Sequence, residues 1–144
     1  MDFEATVSTT GDTSVGEVDP VVVEFRNRHT GQHHELVMDE LTGGHVLHLA
    51  IAACVSNDLF REGKARGITL TTVRVTAGGG FEGHPCRSTG VHYAVELEGD
   101  APEAALRDLL AHVEDVAEIP AVLRHGATVR LSSAQIRSAR TTDD

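Results

Sequence analysis

The stretch Gly43-Gly44-His45-Val46-Leu47-His48-Leu49-Ala50-Ile51-Ala52-Ala53-Cys54-Val55-Ser56-Asn57-Asp58-Leu59-Phe60, running on to Gly67, decides how the rest of the chain is read. Its spacing predicts one long helix. From Val46 to Val55 it is apolar on almost every side, interrupted only by His48. A helix apolar all round is a buried helix rather than a surface one, and this run is too short to cross a bilayer. Ala50, Ala52, Ala53 and Cys54 keep its middle narrow, which lets another element approach closely. Beyond Arg61 the helix turns polar and basic. Lys64 and Arg66 suit the negative end of a helix dipole, and Gly67 suits the left-handed position that stops a helix. The helix is therefore expected to begin inside the protein and end in water, with one thiol at its buried centre.

Working outward, Val21–Arg26 and His33–Met38 read as two strands joined by a turn, a hairpin over residues 20–39. Phe3–Thr9 is expected to be an earlier strand, and Gly11–Pro20 an acidic loop. After the helix, Ile68–Thr76 is a strand. Gly78-Gly79-Gly80-Phe81-Glu82-Gly83-His84-Pro85-Cys86 is expected to be a hairpin loop, with Cys86 exposed. It is no phosphate loop, since it lacks the following Lys-Ser/Thr and opens no helix. Val91, Tyr93, Val95 and Leu97 alternate with polar residues and mark a half-buried strand. Asp100-Ala101-Pro102-Glu103 starts a second helix whose apolar face is Leu106, Leu109, Leu110, Val113 and Val116. Pro120 breaks or restarts it. Ala127–Ser132 is expected to be a final strand and residues 133–144 a frayed tail. Strands, long helix, strands, helix and strand in that order give an α+β domain over residues 1–132 with mainly antiparallel pairing.

The totals narrow the function. At 144 residues the chain suffices for one domain with a core, and with no tryptophan and four phenylalanines that core is aliphatic. A formal net charge of −10 argues against a nucleic-acid or anionic-membrane partner. The start, Met1-Asp2-Phe3-Glu4, has neither the basic residues nor the apolar run of a signal peptide, so a cytoplasmic location is expected. In that compartment Cys54 and Cys86 are expected to be free thiols.

Element order, the motif Leu47-His48-Leu49-Ala50-Ile51-Ala52-Ala53-Cys54-Val55 and the strand entry Gly67-Ile68-Thr69-Leu70-Thr71-Thr72-Val73-Arg74-Val75 together resemble the OsmC/Ohr family over roughly residues 20–132. The resemblance implies an intertwined homodimer, with an antiparallel curved sheet around two central helices and pockets at the subunit interface. Many members reduce organic hydroperoxides or peroxynitrite. One cysteine of the central helix attacks the peroxide, and a second, at the start of a later helix, resolves the sulfenic acid. Cys54 falls on the attacking cysteine. In Ala117-Glu118-Ile119-Pro120-Ala121-Val122-Leu123, Ile119 stands where the resolving cysteine would be. The helix-start glutamate of the Ohr branch falls near Gly44, and the arginine of its first long loop has no counterpart in Gly11–Gly16.

These departures favour a dimer-interface pocket kept for binding or non-redox conversion of a small hydrophobic metabolite. The alternative is a one-cysteine organic hydroperoxide reductase using Cys54 and an external thiol. The candidate catalytic residues are Cys54, His48 and Asp58, and the candidate substrate-binding residues His45, Asn57 and Ile119. Cys54 lies mid-helix with no cation in its motif, and Asp58, four residues on, shares its face; a carboxylate there raises a thiol pKa. Nine histidines are unusual for this length, and His45 and His48 are spaced to share a helix face. Without a third placed ligand that pair does not make a metal site, and no metal or cofactor is expected.

Overall fold

Val21–Arg26 (β1) and His33–Met38 (β2) pair antiparallel, in register from Val21↔Met38 to Arg26↔His33. The computed structural model describes residues 3, 5–6, 20–26, 31 and 33–136. Phe3, Ala5 and Thr6 lie in no strand. The rest of the strand expected over Phe3–Thr9, like residues 11–19 and 137–144, falls outside the described residues. The chain divides into two units, residues 1–47 and 48–144. In the first, β2 alternates exposed and half-buried residues, and Arg26 Nη2 and His33 Nε2 lie 2.7 Å apart across the pair.

The long helix, Gly43–Ala65 (α1), starts on a side-chain cap. Thr42 Oγ1 accepts the backbone N–H of His45 at 3.2 Å and lies 2.7 Å from that residue's Nδ1, which satisfies one of the donors a helix start leaves without an intrahelical partner. Its end is a Schellman turn: Ile68 N–H bonds Gly63 O at 2.9 Å and Gly67 N–H bonds Lys64 O at 3.1 Å. Gly67 sits at φ +69°, where a side chain would be strained.

Within the second unit, Leu70–Glu82 (β3) and Arg87–Gly99 (β4) form a long antiparallel hairpin. Val73, Val75 and Ala77 lie opposite Leu97, Val95 and Tyr93 and share one face. Leu70 joins them in the core although a step of three positions to Val73 would put it on the opposite face of a regular strand. An irregularity between Leu70 and Thr72 adds the residue that makes this possible. The core is Val55 and Leu59 of α1, Leu70, Leu109 and Val113 of the second helix (α2, Glu103–Val116), and Ala117. It is aliphatic, as the composition requires. Pro102 precedes α2 and Glu103 lies in its first turn. Leu109 and Val113 are fully buried, while Val116, expected on the same face, is 39% exposed. At Ala117 the backbone is extended (φ −61°, ψ 120°), and a third helix, Glu118–His125 (α3), starts anew with Pro120 buried in its first turn.

Two expectations are corrected. Gly78–Gly80 form no loop: they lie inside β3, with Gly78 opposite His92 and Gly79 opposite Val91. A Cβ on Gly79 would run into the carbonyl oxygen of Gly90 and come within 2.8 Å of His48 Nε2, so the glycines serve close packing rather than a turn. Ala127–Ser132 is in no strand, because no described segment pairs with it. Within the chain α1 is buried along one side. Ile51, Val55, Asp58, Leu59 and Gly63 form a single buried stripe, Leu49, Ala50, Ala52 and Ala53 are half-buried, and Val46 is 44% exposed.

Candidate functional site

Cys54 and Asp58 stand one turn apart on the same face of α1. The start of α3 comes up to that face, since the backbone N–H groups of Ile119 and Glu118 bond to the Cys54 sulfur. First-turn amides of a helix have no intrahelical acceptor and carry the positive end of its dipole. The extended backbone at Ala117 ends α2 and aims those amides, and Ala117 is itself fully buried in the core.

The electrostatics of this corner are mixed. Burial pushes the Cys54 thiol above its ordinary value, and the charges of Asp58 and Glu118 push the same way; the two amides oppose them. Burial also pushes the Asp58 carboxyl upward, against the pull of Arg61 and with the help of Glu118 and Glu62. Asp58 is 5% exposed. Arg61 Nη1 holds its Oδ1 at 3.0 Å, while Oδ2 is buried with no hydrogen-bond partner among the described residues. Leaving a buried acceptor unpaired costs on the order of 1–3 kcal/mol. The chain of contacts continues outward: Arg61 Nε lies 3.1 Å from Glu62 Oε1, and His112 Nε2 of α2 lies 3.1 Å from Glu62 Oε2. Arg61, more than His112, holds the Glu62 carboxyl below its usual range.

His48 belongs to another neighbourhood. Its ring stacks edge-on against Phe81 at 6.0 Å and lies against Gly79 of β3. An open concavity of ≈ 540 Å³ lies along the same hairpin, lined by Gly79, Gly80, Thr89, Gly90, Val91 and His92. None of Cys54, Asn57 or Asp58 lines it. His45 is committed to the helix cap with Thr42, in the first unit. Asn57 is half-buried. Among the described residues no group of three or more His, Cys, Asp or Glu is placed to hold a metal ion, and no helix is long and apolar enough to cross a membrane.

A model of the OsmC-like protein family matches residues 37–132. The chain belongs to that family. No curated protein matches. Among solved structures, an OsmC-like hydroperoxide resistance protein from Jannaschia sp. CCS1 superposes with a TM-score of 0.54 at 15% identity, covering 76% of this chain and 78% of that one. At that identity the likeness speaks for the α+β fold alone.

In this OsmC-like chain the structure brings Cys54, Asp58 and Ile119 together and sets His48 against Gly79 and Phe81. Ile119, expected as a substrate contact, meets Cys54 through its main chain. Both cysteines are free, and Cys86 is exposed in the turn between β3 and β4. Sequence reading missed Glu118, Arg61, Glu62 and His112. The first three were within reach: Arg61 and Glu62 follow Asp58 at helical spacing, and Glu118 opens the helix that carries Ile119. His112 carried no signal, because its contact spans fifty positions of sequence.

Proposed function

We propose that this protein is a one-cysteine, thiol-dependent organic hydroperoxide reductase with Cys54 as the nucleophile. The observation that carries the reading is the pair of α3 amides, Glu118 and Ile119, bonded to the Cys54 sulfur. They give negative charge on sulfur two hydrogen-bond donors and oppose the upward push of burial, Asp58 and Glu118 on the thiol. The sulfur attacks one peroxide oxygen, the O–O bond breaks, the hydroperoxide leaves as alcohol, and Cys54 becomes a sulfenic acid. Ile119 stands where a resolving cysteine would be, and Cys86 lies at a hairpin tip, so an external thiol returns Cys54 to its reduced form. The hydroperoxide resistance protein with the same fold is in keeping with this reading.

The pocket reading finds less support. The open concavity on β3 and β4 is not beside Cys54, and its polar groups are Thr89 and His92. A homodimer belongs to the proposal, because a second chain would cover the half-buried apolar sides of α1 and the side chains of Val129 and Leu131, 93% and 85% exposed. A reducing, cytoplasmic setting suits a pair of free thiols and an external thiol reductant.

The test is consumption of cumene hydroperoxide with dithiothreitol or dihydrolipoamide as reductant. Wild type and Cys86→Ser are expected to turn over at similar rates and Cys54→Ser not at all. Retention of activity by Cys54→Ser would sink the reading.

A further inference from the structure

We propose that Asp58 is the proton carrier of the Cys54 reaction, taking the thiol proton and delivering it to the departing alkoxide. The inference rests on the hydroperoxide-reductase reading and adds to it the residue that balances the protons. Thiol attack on a hydroperoxide needs one proton removed from sulfur and one placed on the leaving oxygen. Cys54 and Asp58 share a face of α1 at one-turn spacing. Arg61 fixes one carboxyl oxygen at 3.0 Å, and the other, Oδ2, is buried and unpartnered among the described residues. An oxygen in that state has a lone pair open for a proton and strong reason to take one.

The other charged groups facing this corner are worse placed for the task. Glu118 is exposed. Arg61 and Glu62 are engaged with each other, and His112 with Glu62. The upward push of burial on Asp58 makes it a stronger base than an ordinary carboxylate, which brings it nearer the working pH of a proton carrier.

The step balances. Oδ2 bonds no described group, the Cys54 thiol included, so the proton of Sγ reaches the Asp58 carboxylate through one intervening water as a sulfur electron pair attacks the terminal peroxide oxygen. The S–O bond forms and the O–O bond breaks. Sulfur is oxidised to the sulfenic acid, the hydroperoxide is reduced to an alkoxide, and Asp58 gives up one proton to it to form the alcohol.

Two reagents separate a carrier from a mere charge. Iodoacetamide releases iodide, which needs no proton, so alkylation of Cys54 reports the thiolate alone. Cumene hydroperoxide releases an alkoxide, which needs one. In single-turnover measurements on a Cys86→Ser background, Asp58→Asn is expected to speed alkylation at pH 7, because a negative charge beside the thiol is gone. The same variant is expected to slow peroxide oxidation about 100-fold or more. Glu118→Gln removes a charge but no carrier, and is expected to move both rates the same way. If Asp58→Asn moves both rates the same way, or leaves oxidation unchanged, the inference is overturned.

Unmutated Asp58 supplies a second arm that does not depend on the variant folding. The alkylation rate is expected to rise about tenfold per pH unit below the thiol pKa. The oxidation rate is expected to be level between the Asp58 and Cys54 pKa values, because there the carboxylate and the protonated thiol coexist. An oxidation rate that tracks alkylation at every pH overturns the proton carrier while leaving Cys54 as nucleophile. Alkylation of Cys54 with no oxidation at any pH overturns the reductase reading and this inference together.

Discussion

Replacing Gly79 with alanine tests the placement of the glycine run inside β3. The three glycines differ in surroundings although they are adjacent in sequence. None has a positive φ, so alanine is not opposed by backbone conformation at any of them. At Gly79 the new Cβ meets the Gly90 carbonyl oxygen, a backbone atom on the paired strand, and comes within 2.8 Å of His48 Nε2. Overpacking of this kind costs about 1–3 kcal/mol, less the roughly 0.4–1 kcal/mol that alanine returns by restricting the unfolded chain. A net loss of about 1–2 kcal/mol corresponds to a Tm lower by roughly 3–7 °C for a chain of this size. At Gly78 the Cβ would meet His92 Nε2 at 3.2 Å and at Gly80 Thr89 Oγ1 at 3.3 Å. Both neighbours are side chains that turn aside, so those variants are expected within about 0.5 kcal/mol of wild type. The assay is thermal and urea unfolding of the three variants at one fixed protein concentration, since an associating protein has a concentration-dependent Tm. If Gly79→Ala melts with the other two, the hairpin packing described for Gly79, Gly90 and His48 is wrong.

Leu109→Ala should cost about 2–5 kcal/mol in denaturant unfolding, because the side chain is 0% exposed and sits at the centre of the core. Asp58 binds its proton more tightly when folded, so its contribution to stability is greatest below the unfolded carboxylate pKa and is lost as pH rises through the raised folded value. Urea midpoints measured from acid to neutral pH should therefore show a decline that Asp58→Asn removes, and an unchanged slope in that variant would assign the decline to other groups. Organic hydroperoxide should leave Cys54 as sulfenic or sulfinic acid, and a stoichiometric Cys54–Cys86 disulfide in peptide mapping would restore a two-cysteine mechanism. Sedimentation equilibrium at micromolar concentration should give twice 15.3 kDa, and a stable monomer would contradict the proposed dimer.

Legibility followed sequence distance. β1 and β2 read directly because their apolar alternation and intervening turn lie within one short segment. The end of α1 was equally plain, since a Schellman turn needs only a glycine after a polar helix end. The glycine run misled because glycine marks both turns and close packing, and the distinction depends on His48 and Gly90, which are remote in sequence. At the site, the i, i+4 relation of Cys54 and Asp58 was visible in the helix period, and with it the sign of the carboxylate's effect on the thiol. The amides of Glu118 and Ile119 were not visible as ligands of sulfur, because main-chain donors have no letter of their own.

Local chemistry along the chain determined β1, β2, the long helix and the position of one thiol in the middle of that helix. Helix period, turn residues and caps act over a few neighbouring residues, so their outcome is written where they occur. Tertiary packing alone decided what that thiol meets. The extended residue Ala117 turns the start of α3 onto Cys54, and Arg61 takes one oxygen of Asp58 and leaves the other buried. Those encounters depend on how α1, α2 and β3 bury Leu59, Leu70, Leu109 and Val113 together, because a side chain's burial and charged neighbours come from elements distant in sequence.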